Sequence, residues 1–283
     1  MLTCRNSEDT ISRSLGSIIE QTIMPEYIIV IDDGSTDKTR DVLDGMRKGR
    51  ETLYTITKPD LGYDISRVVK NWNSAIQLTR ERSLPKTDYH MIATDDTIYP
   101  QNYAEEIVSH LDSHPSVAIA SGNYAKYYSV MPHGAGRFIR NSFFETTPWH
   151  GYYPEQMGYE SAILYEANYC GFTHTVLDSV KFEHINPLGH VHKFREFGAS
   201  MRTLGYHPLF VLARFAKYLI TGQVTGRMGS IYMIYYYLSY NPKPEGYDRL
   251  YDSTLRHYIR SNQIKRLKGV ILNLDSRFPY TRR

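Results

Sequence analysis

Two acidic pairs dominate the chemistry this sequence could perform. Asp32-Asp33 closes the apolar run Tyr27-Ile28-Ile29-Val30-Ile31 and is followed by Gly34-Ser35-Thr36-Asp37, and Asp95-Asp96 closes a second run, residues 89–94. Carboxylate pairs at neighbouring strand ends repel one another unless a cation or a hydrogen-bonding ligand satisfies them. A nucleoside diphosphate with a divalent cation does so. One carboxylate accepts from the base imide, another from the ribose hydroxyls, and a third holds the metal. Oxygen-ligated Mg2+ or Mn2+ takes only one or two protein carboxylates and fills its remaining positions with phosphate and water. Taken alone, either pair is equally read as a turn or cap.

The elements that must position these pairs alternate along the first half of the chain. Ile11, Leu15, Ile18 and Ile19 share one helical face, with Ser7 expected as the cap. A buried strand is expected over residues 27–31, and a helix started by Ser35 or Thr36 with Val42, Leu43 and Met46 inward. Further strands are expected over 53–57, 89–94 and 117–120, a helix over 66–79, and another after Pro100 with Tyr103, Ile107 and Leu111 buried. Such β-α-β-α order predicts a parallel sheet covered on both faces, with the ligand beyond the carboxyl ends of its strands, where both acidic pairs fall. From 124 to 169 the periodicity weakens, and loops with antiparallel pieces are expected. A helix resumes over 194–204, stopped by Gly205, and the chain from about 214 onward reads as helical with a break at 241–246.

Composition bounds the answer. The 283 residues, 41% hydrophobic and 22% charged, describe an ordinary globular chain able to bury a core, unusually rich in Tyr (25). The net charge of +3 gives no general case for nucleic acid, although residues 254–283 hold eight Lys/Arg against the single Asp275. Cys4 and Cys170 lie far apart with no CxxC, which points to a reducing compartment. No apolar leader follows Met1, and the best membrane candidate, residues 228–240, is too short to span, so a cytoplasmic protein is expected.

Three stretches resemble family 2 glycosyltransferases of the GT-A fold. Val30-Ile31-Asp32-Asp33-Gly34-Ser35-Thr36-Asp37 is similar to that family's nucleotide-binding strand and loop, and Ala93-Thr94-Asp95-Asp96-Thr97-Ile98-Tyr99-Pro100 to its metal-binding aspartate motif. The opening Thr3-Cys4-Arg5-Asn6-Ser7-Glu8 resembles its first strand-helix turn. The agreement covers residues 1–120 well and 170–206 loosely. It implies an α/β GT-A domain over 1–213, with a nucleotide-binding half (1–122) and an acceptor-binding half (123–213), followed by a basic helical extension over 214–283.

The resemblance also implies residue roles. Asp33 faces the uracil imide of a UDP-sugar, Asp95 the ribose or sugar, and Asp96 the metal, Mn2+ or Mg2+. Thr3, Arg5 and Arg67 complete the nucleotide site. In Arg195-Glu196-Phe197-Gly198, Glu196 takes the place of the catalytic base and Gly198 that of a further acidic residue. The activity implied is metal-assisted transfer of a sugar from a nucleotide-sugar, with inversion, to an acceptor hydroxyl or lipid phosphate in glycan or polysaccharide synthesis. The alternative is a catalytically inactive nucleotide-sugar-binding accessory protein. A nucleotidyltransferase is disfavoured because residues 3–8 hold no Gly, and no nucleic-acid motif is present.

Four histidines, His174, His184, His190 and His192, precede Glu196. His192 is a candidate further metal ligand, beside the simpler reading of loop histidines facing water. The aromatic run 228–240 with the basic tail offers peripheral contact at the inner face of a membrane, beside its simpler reading as core.

Overall fold

The computed structural model describes residues 1–126, 128–186, 193–222 and 226–271. The chain divides into two compact units: Met1–Pro154 with Cys170–Pro187, and Glu155–Tyr169 with Leu188–Arg283.

The first unit is built on a sheet whose described strands are β1 (Leu2–Cys4), β2 (Ile28–Asp32), β3 (Leu53–Thr57), β4 (Tyr89–Thr94), β5 (Thr97–Ile98), β6 (Val117–Tyr124), β7 (Arg137–Arg140) and β8 (Thr173–His184). Their order is β3-β2-β1-β4-β7-β6-β8-β5. β3, β2, β1 and β4 run parallel, in the register Cys4↔Asp32 and Thr3↔Thr94. β7 runs antiparallel between β4 and β6.

Alternation along β2 shows why both faces must be covered. Ile28 and Val30 join a core with Ile11, Leu15 and Ile18 of α1 (Ile11–Ile19), Leu43 of α2 (Thr39–Arg47) and Ile107 and Leu111 of α4 (Tyr103–Ser113). Ile29 and Ile31 pack on the other face with Ala75 and Leu78 of α3 (Ser66–Glu81). Two continuous apolar layers on one strand are the mark of a parallel sheet between helices.

Several boundaries differ from the sequence-based expectation. Ser7 does not cap α1 with its hydroxyl. Its backbone carbonyl accepts from Thr10 and Ile11, and the side chain goes to Asp95 instead. α2 begins at Thr39 because the Ser35 N–H is taken by Asp32 (2.8 Å) and the Thr39 N–H by Asp37 (3.0 Å), which holds 35–38 in a turn. Within 124–169 the antiparallel β7 is joined by two unforeseen helices, α5 (Asn141–Thr146) and α6 (Tyr159–Tyr169). α6 buries Ala162, Ile163, Leu164 and Glu166 together, so it carries no one-sided apolar stripe for the sequence to reveal. β8 is also new, its pattern broken by Asp178, Lys181 and Glu183.

The second unit is helical: α6, α7 (Lys193–Thr203), α8 (Pro208–Thr221), α9 (Gly226–Ser239) and α10 (Ser253–Ile271). α8 starts with Pro208 at its first turn and ends at Gly222, φ 65°. The Gln263 side chain accepts from the His207 N–H (2.8 Å), and Arg260 donates to the Gly205 carbonyl (2.6 Å), tying α10 to the α7–α8 turn. Among the described residues no helix is long and apolar enough to cross a membrane.

Candidate active site

The parallel register sets the site. β1 lies between β2 and β4, so its carboxyl end delivers Arg5 between Asp33 and Asp95. The Arg5 guanidinium donates to the backbone carbonyls of Asp33 and Gly34 (3.0 Å for the latter) and pairs with Asp60 at 2.6 Å. Its backbone N–H donates to Asp95 Oδ2 at 3.3 Å. Asn6, at φ 50°, turns the chain; its side-chain oxygen accepts from the Thr36 N–H (2.8 Å), while the Asn6 N–H reaches the Ser35 hydroxyl (2.9 Å). The loops after β1 and β2 are therefore stitched into one rim.

The two members of each acidic pair differ. Asp32, 1% exposed, caps the turn through the Ser35 N–H and lies 3.5 Å from Arg40. It is a structural residue. Asp33 is held by Arg67, whose Nε lies 3.2 Å from both its carboxylate oxygens and Nη2 3.1 Å from Oδ2. This bond to Asp33 raises the Arg67 pKa further. Gly34, φ 73°, lets the loop after β3 approach, since a Cβ there would meet the Asp60 backbone at 2.6 Å.

Asp95 and Asp96 are pushed apart in acidity. Burial raises the Asp95 carboxyl, the adjacent Asp96 charge adds to this, and hydrogen bonds from Ser7 and the Arg5 N–H oppose it. Burial also acts on Asp96, but His184 and the Thr94 hydroxyl outweigh it and hold that carboxyl below its ordinary value. Asp96 is thus ionised at neutral pH, with its side chain 22% exposed. His184 Nδ1 faces Asp96 Oδ1 at 3.2 Å.

These features fit a divalent cation at Asp96. Among the described residues no three His, Cys, Asp or Glu side chains form a ready-made cage. A site of one ionised carboxylate, completed by phosphate and water, is what Mg2+ and Mn2+ accept.

Of the residues expected from sequence, Arg5, Asp33, Arg67, Asp95 and Asp96 come together on this rim. Thr3 lies within β1, its hydroxyl buried and without a hydrogen-bond partner among the described residues. Glu196 stands in the first turn of α7 in the second unit, where the helix dipole favours an anion. Gly198 is required there by packing, because a Cβ would meet Tyr236 Cβ at 2.7 Å and the backbone of α9. His192 lies outside the described residues. Ser7 was expected only as a helix cap, and neither Asp60 nor, among the four histidines, His184 was singled out; the place of His184 beside Asp96 follows from β5–β8 pairing.

Open, mostly parallel α/β sheets bind their ligands beyond the carboxyl ends of the strands, where this rim lies. The sequence profile of glycosyl transferase family 2 matches residues 1–167, and the chain belongs to this family. Solved structures agree on the GT-A fold. The mannosyltransferase PcManGT from Pyrobaculum calidifontis, in complex with GDP-Man and Mn2+, superposes with a TM-score of 0.56 at 16% identity, covering 97% of this chain and 79% of that one. S. aureus TarS 1-349 in complex with UDP-GlcNAc gives 0.54 at 14%, covering 97% and 75%. A longer S. aureus TarS chain gives 0.53 at 14%, covering 84% of this chain, which spans only 42% of that one.

Proposed function

We propose that this chain transfers a hexosyl group from a UDP-sugar to an acceptor hydroxyl or lipid phosphate, with inversion at the anomeric carbon, in glycan or polysaccharide synthesis. The observation that carries this reading is the rim itself. Arg5, Asp33, Arg67, Asp95 and Asp96 meet at the carboxyl ends of adjacent parallel strands, where open α/β sheets bind nucleotides. Neighbours of the same fold were solved with UDP-GlcNAc and with GDP-Man and Mn2+.

In this reading Asp33 accepts from the uracil imide, with Arg67 orienting the carboxylate. Asp95 accepts from the ribose or the sugar, and Thr3 and Arg5 complete the nucleotide pocket. Asp96 holds the divalent cation, Mn2+ or Mg2+, which when bound neutralises charge developing on the departing diphosphate. Glu196 accepts the acceptor hydroxyl's proton as that oxygen attacks from the face opposite the nucleotide. No protein nucleophile is required, because positioning and electrostatics supply the rate.

Contact with a membrane surface is supported by the second unit, where α9 leaves Met228, Ile231, Tyr232, Tyr235 and Leu238 exposed. Flotation with anionic liposomes tests that contact.

The activity is tested by screening UDP-sugars for UDP release with simple glycosides and lipid phosphates as acceptors. Turnover abolished by Asp96→Ala supports transfer. Tight UDP-sugar binding with no turnover against any acceptor favours the accessory-protein alternative.

A further inference from the structure

Three arginines of the second unit meet at the turn between α7 and α8. Arg202 stands in the last turn of α7, and Arg256 and Arg260, one turn apart on α10, reach the same place. Arg260 Nε donates to the Gly205 carbonyl at 2.6 Å. Arg256 lies across Gly205, where a notional Cβ would meet its Nε at 2.7 Å and its Cβ and Cγ at 3.1 Å, so the bare glycine makes room for that side chain. The Arg202 guanidinium sits 5.8 Å from the ring centre of Tyr237, whose hydroxyl donates to the Tyr206 carbonyl at 2.8 Å.

The charge in this cluster is unbalanced. Among the described residues none of the three arginines forms an ion pair, and Asp252, four residues before Arg256, is engaged by the Thr254 N–H at 2.7 Å. Arg256 Nε is buried without a hydrogen-bond partner among the described residues. So is Nε2 of Gln263, a residue 3% exposed one turn beyond Arg260 whose oxygen accepts from the His207 N–H. Burial lowers the Arg256 pKa, and the charges of Arg260 and then Arg202 lower it further, so the three act on one another. Capping the carboxyl end of α7 accounts for one nitrogen of Arg260. It leaves two buried donors without acceptors, which native proteins almost never do, and three like charges without an anion. Water could accept from the donors, but it neutralises nothing.

We propose that Arg202, Arg256 and Arg260 form a binding site for a phosphate monoester at the α7–α8 turn, built from none of the residues of the donor rim. Forked guanidinium groups match phosphate oxygens. A phosphate monoester, with about two negative charges and three acceptor oxygens, answers three arginines better than a single carboxylate does. The same group is carried by an anionic lipid headgroup and by soluble phosphate. The site goes beyond the nucleotide-sugar reading and stands whether or not that reading holds.

The experiment has two arms on the full chain at one ionic strength: calorimetric titration with inorganic phosphate, and cosedimentation with phosphatidylcholine vesicles containing phosphatidic acid or, matched in charge, phosphatidylserine. The expected result is binding in at least one arm that is unchanged in Asp96→Ala and weakened by about tenfold or more in Arg256→Gln and in Arg202→Gln, the cost of losing a charged hydrogen bond. Retention on phosphatidic acid above phosphatidylserine identifies a lipid headgroup as the source of the phosphate. Binding of inorganic phosphate without that preference identifies a soluble one. If Arg256→Gln does not fold, Arg202→Gln carries the test, because that side chain is exposed at the end of its helix. A folded wild-type chain that binds in neither arm, binding unchanged in both arginine variants, or binding lost in Asp96→Ala overturns the proposal.

Discussion

Arg67, near the start of α3, holds Asp33 at the end of β2 through two guanidinium nitrogens, and its Nη2 also donates to the carbonyl of Gly62. One side chain thus joins a helix, a strand end and the loop after β3 at the edge of the candidate nucleotide site. With side-chain exposures of 16% and 10%, the pair is shielded well enough for its loss to be felt. Arg67→Ala should lower stability by about 2 kcal/mol, because Asp33 is left buried and unpaired. Arg67→Lys should recover only part of this, since an ammonium cannot reproduce the two-nitrogen fork. Urea midpoints measure both; full recovery by Lys would contradict the account.

Gly34 should tolerate no side chain. Its φ of 73° and the 2.6 Å approach of Asp60 Cα and the Pro59 carbonyl to a notional Cβ act together. Gly34→Ala should cost about 2 kcal/mol or more and displace the loop that carries Asp60. A thermal shift indistinguishable from wild type would show that the loop after β3 is free to move.

His90 gives the first unit a pH dependence. Burial lowers its pKa from the ordinary 6.5 to about 4, while the bond to Asn141 pulls the other way. Asn141 uses its amide N–H2 on the Thr87 carbonyl, so its oxygen accepts from His90 Nδ1–H, and Nε2 accepts from the Tyr153 hydroxyl at 2.7 Å. The native ring is therefore neutral. The unfolded chain takes up a proton below pH 6.5 and the folded chain only near pH 4, so stability falls as pH drops through that window, by up to about 3 kcal/mol. His90→Gln should flatten this slope relative to wild type when unfolding is measured between pH 7.5 and 4.5. Parallel curves would contradict the assignment.

These residues mark what was legible in the sequence. Asp33 and Asp96 stood out because apolar runs ending in acidic pairs identify the carboxyl ends of parallel strands, whereas Arg67, inside an expected helix, was marked by the family resemblance alone. Ser7 looked like a helix cap, and nothing local reveals that its hydroxyl is drawn to Asp95, eighty-eight residues away. His184 was one histidine among four, and its selection depends on the β5–β8 register, a long-range pairing with no local signature. α6 escaped for a different reason: a helix buried on several sides loses the one-faced period that announces it.

Glu196 is the assignment that rests most on family likeness. Glu196→Gln should reduce turnover by about 10²–10⁴-fold and leave UDP affinity as it is, because a base acts on the acceptor and not on the nucleotide. Steady-state rates set beside UDP titrations separate the two effects. Unimpaired turnover in this variant would assign the base elsewhere.

The central claim is that the rim around Asp33 and Asp96 binds a nucleoside diphosphate with a divalent cation. Calorimetric titration of the purified chain with UDP, with and without Mn2+ and beside GDP, tests it most directly. The account predicts UDP binding that is strengthened by Mn2+, loses that gain on chelation with EDTA, and loses it equally in a folded Asp96→Ala variant. A folded wild-type chain that binds neither nucleotide, with or without metal, would contradict the account.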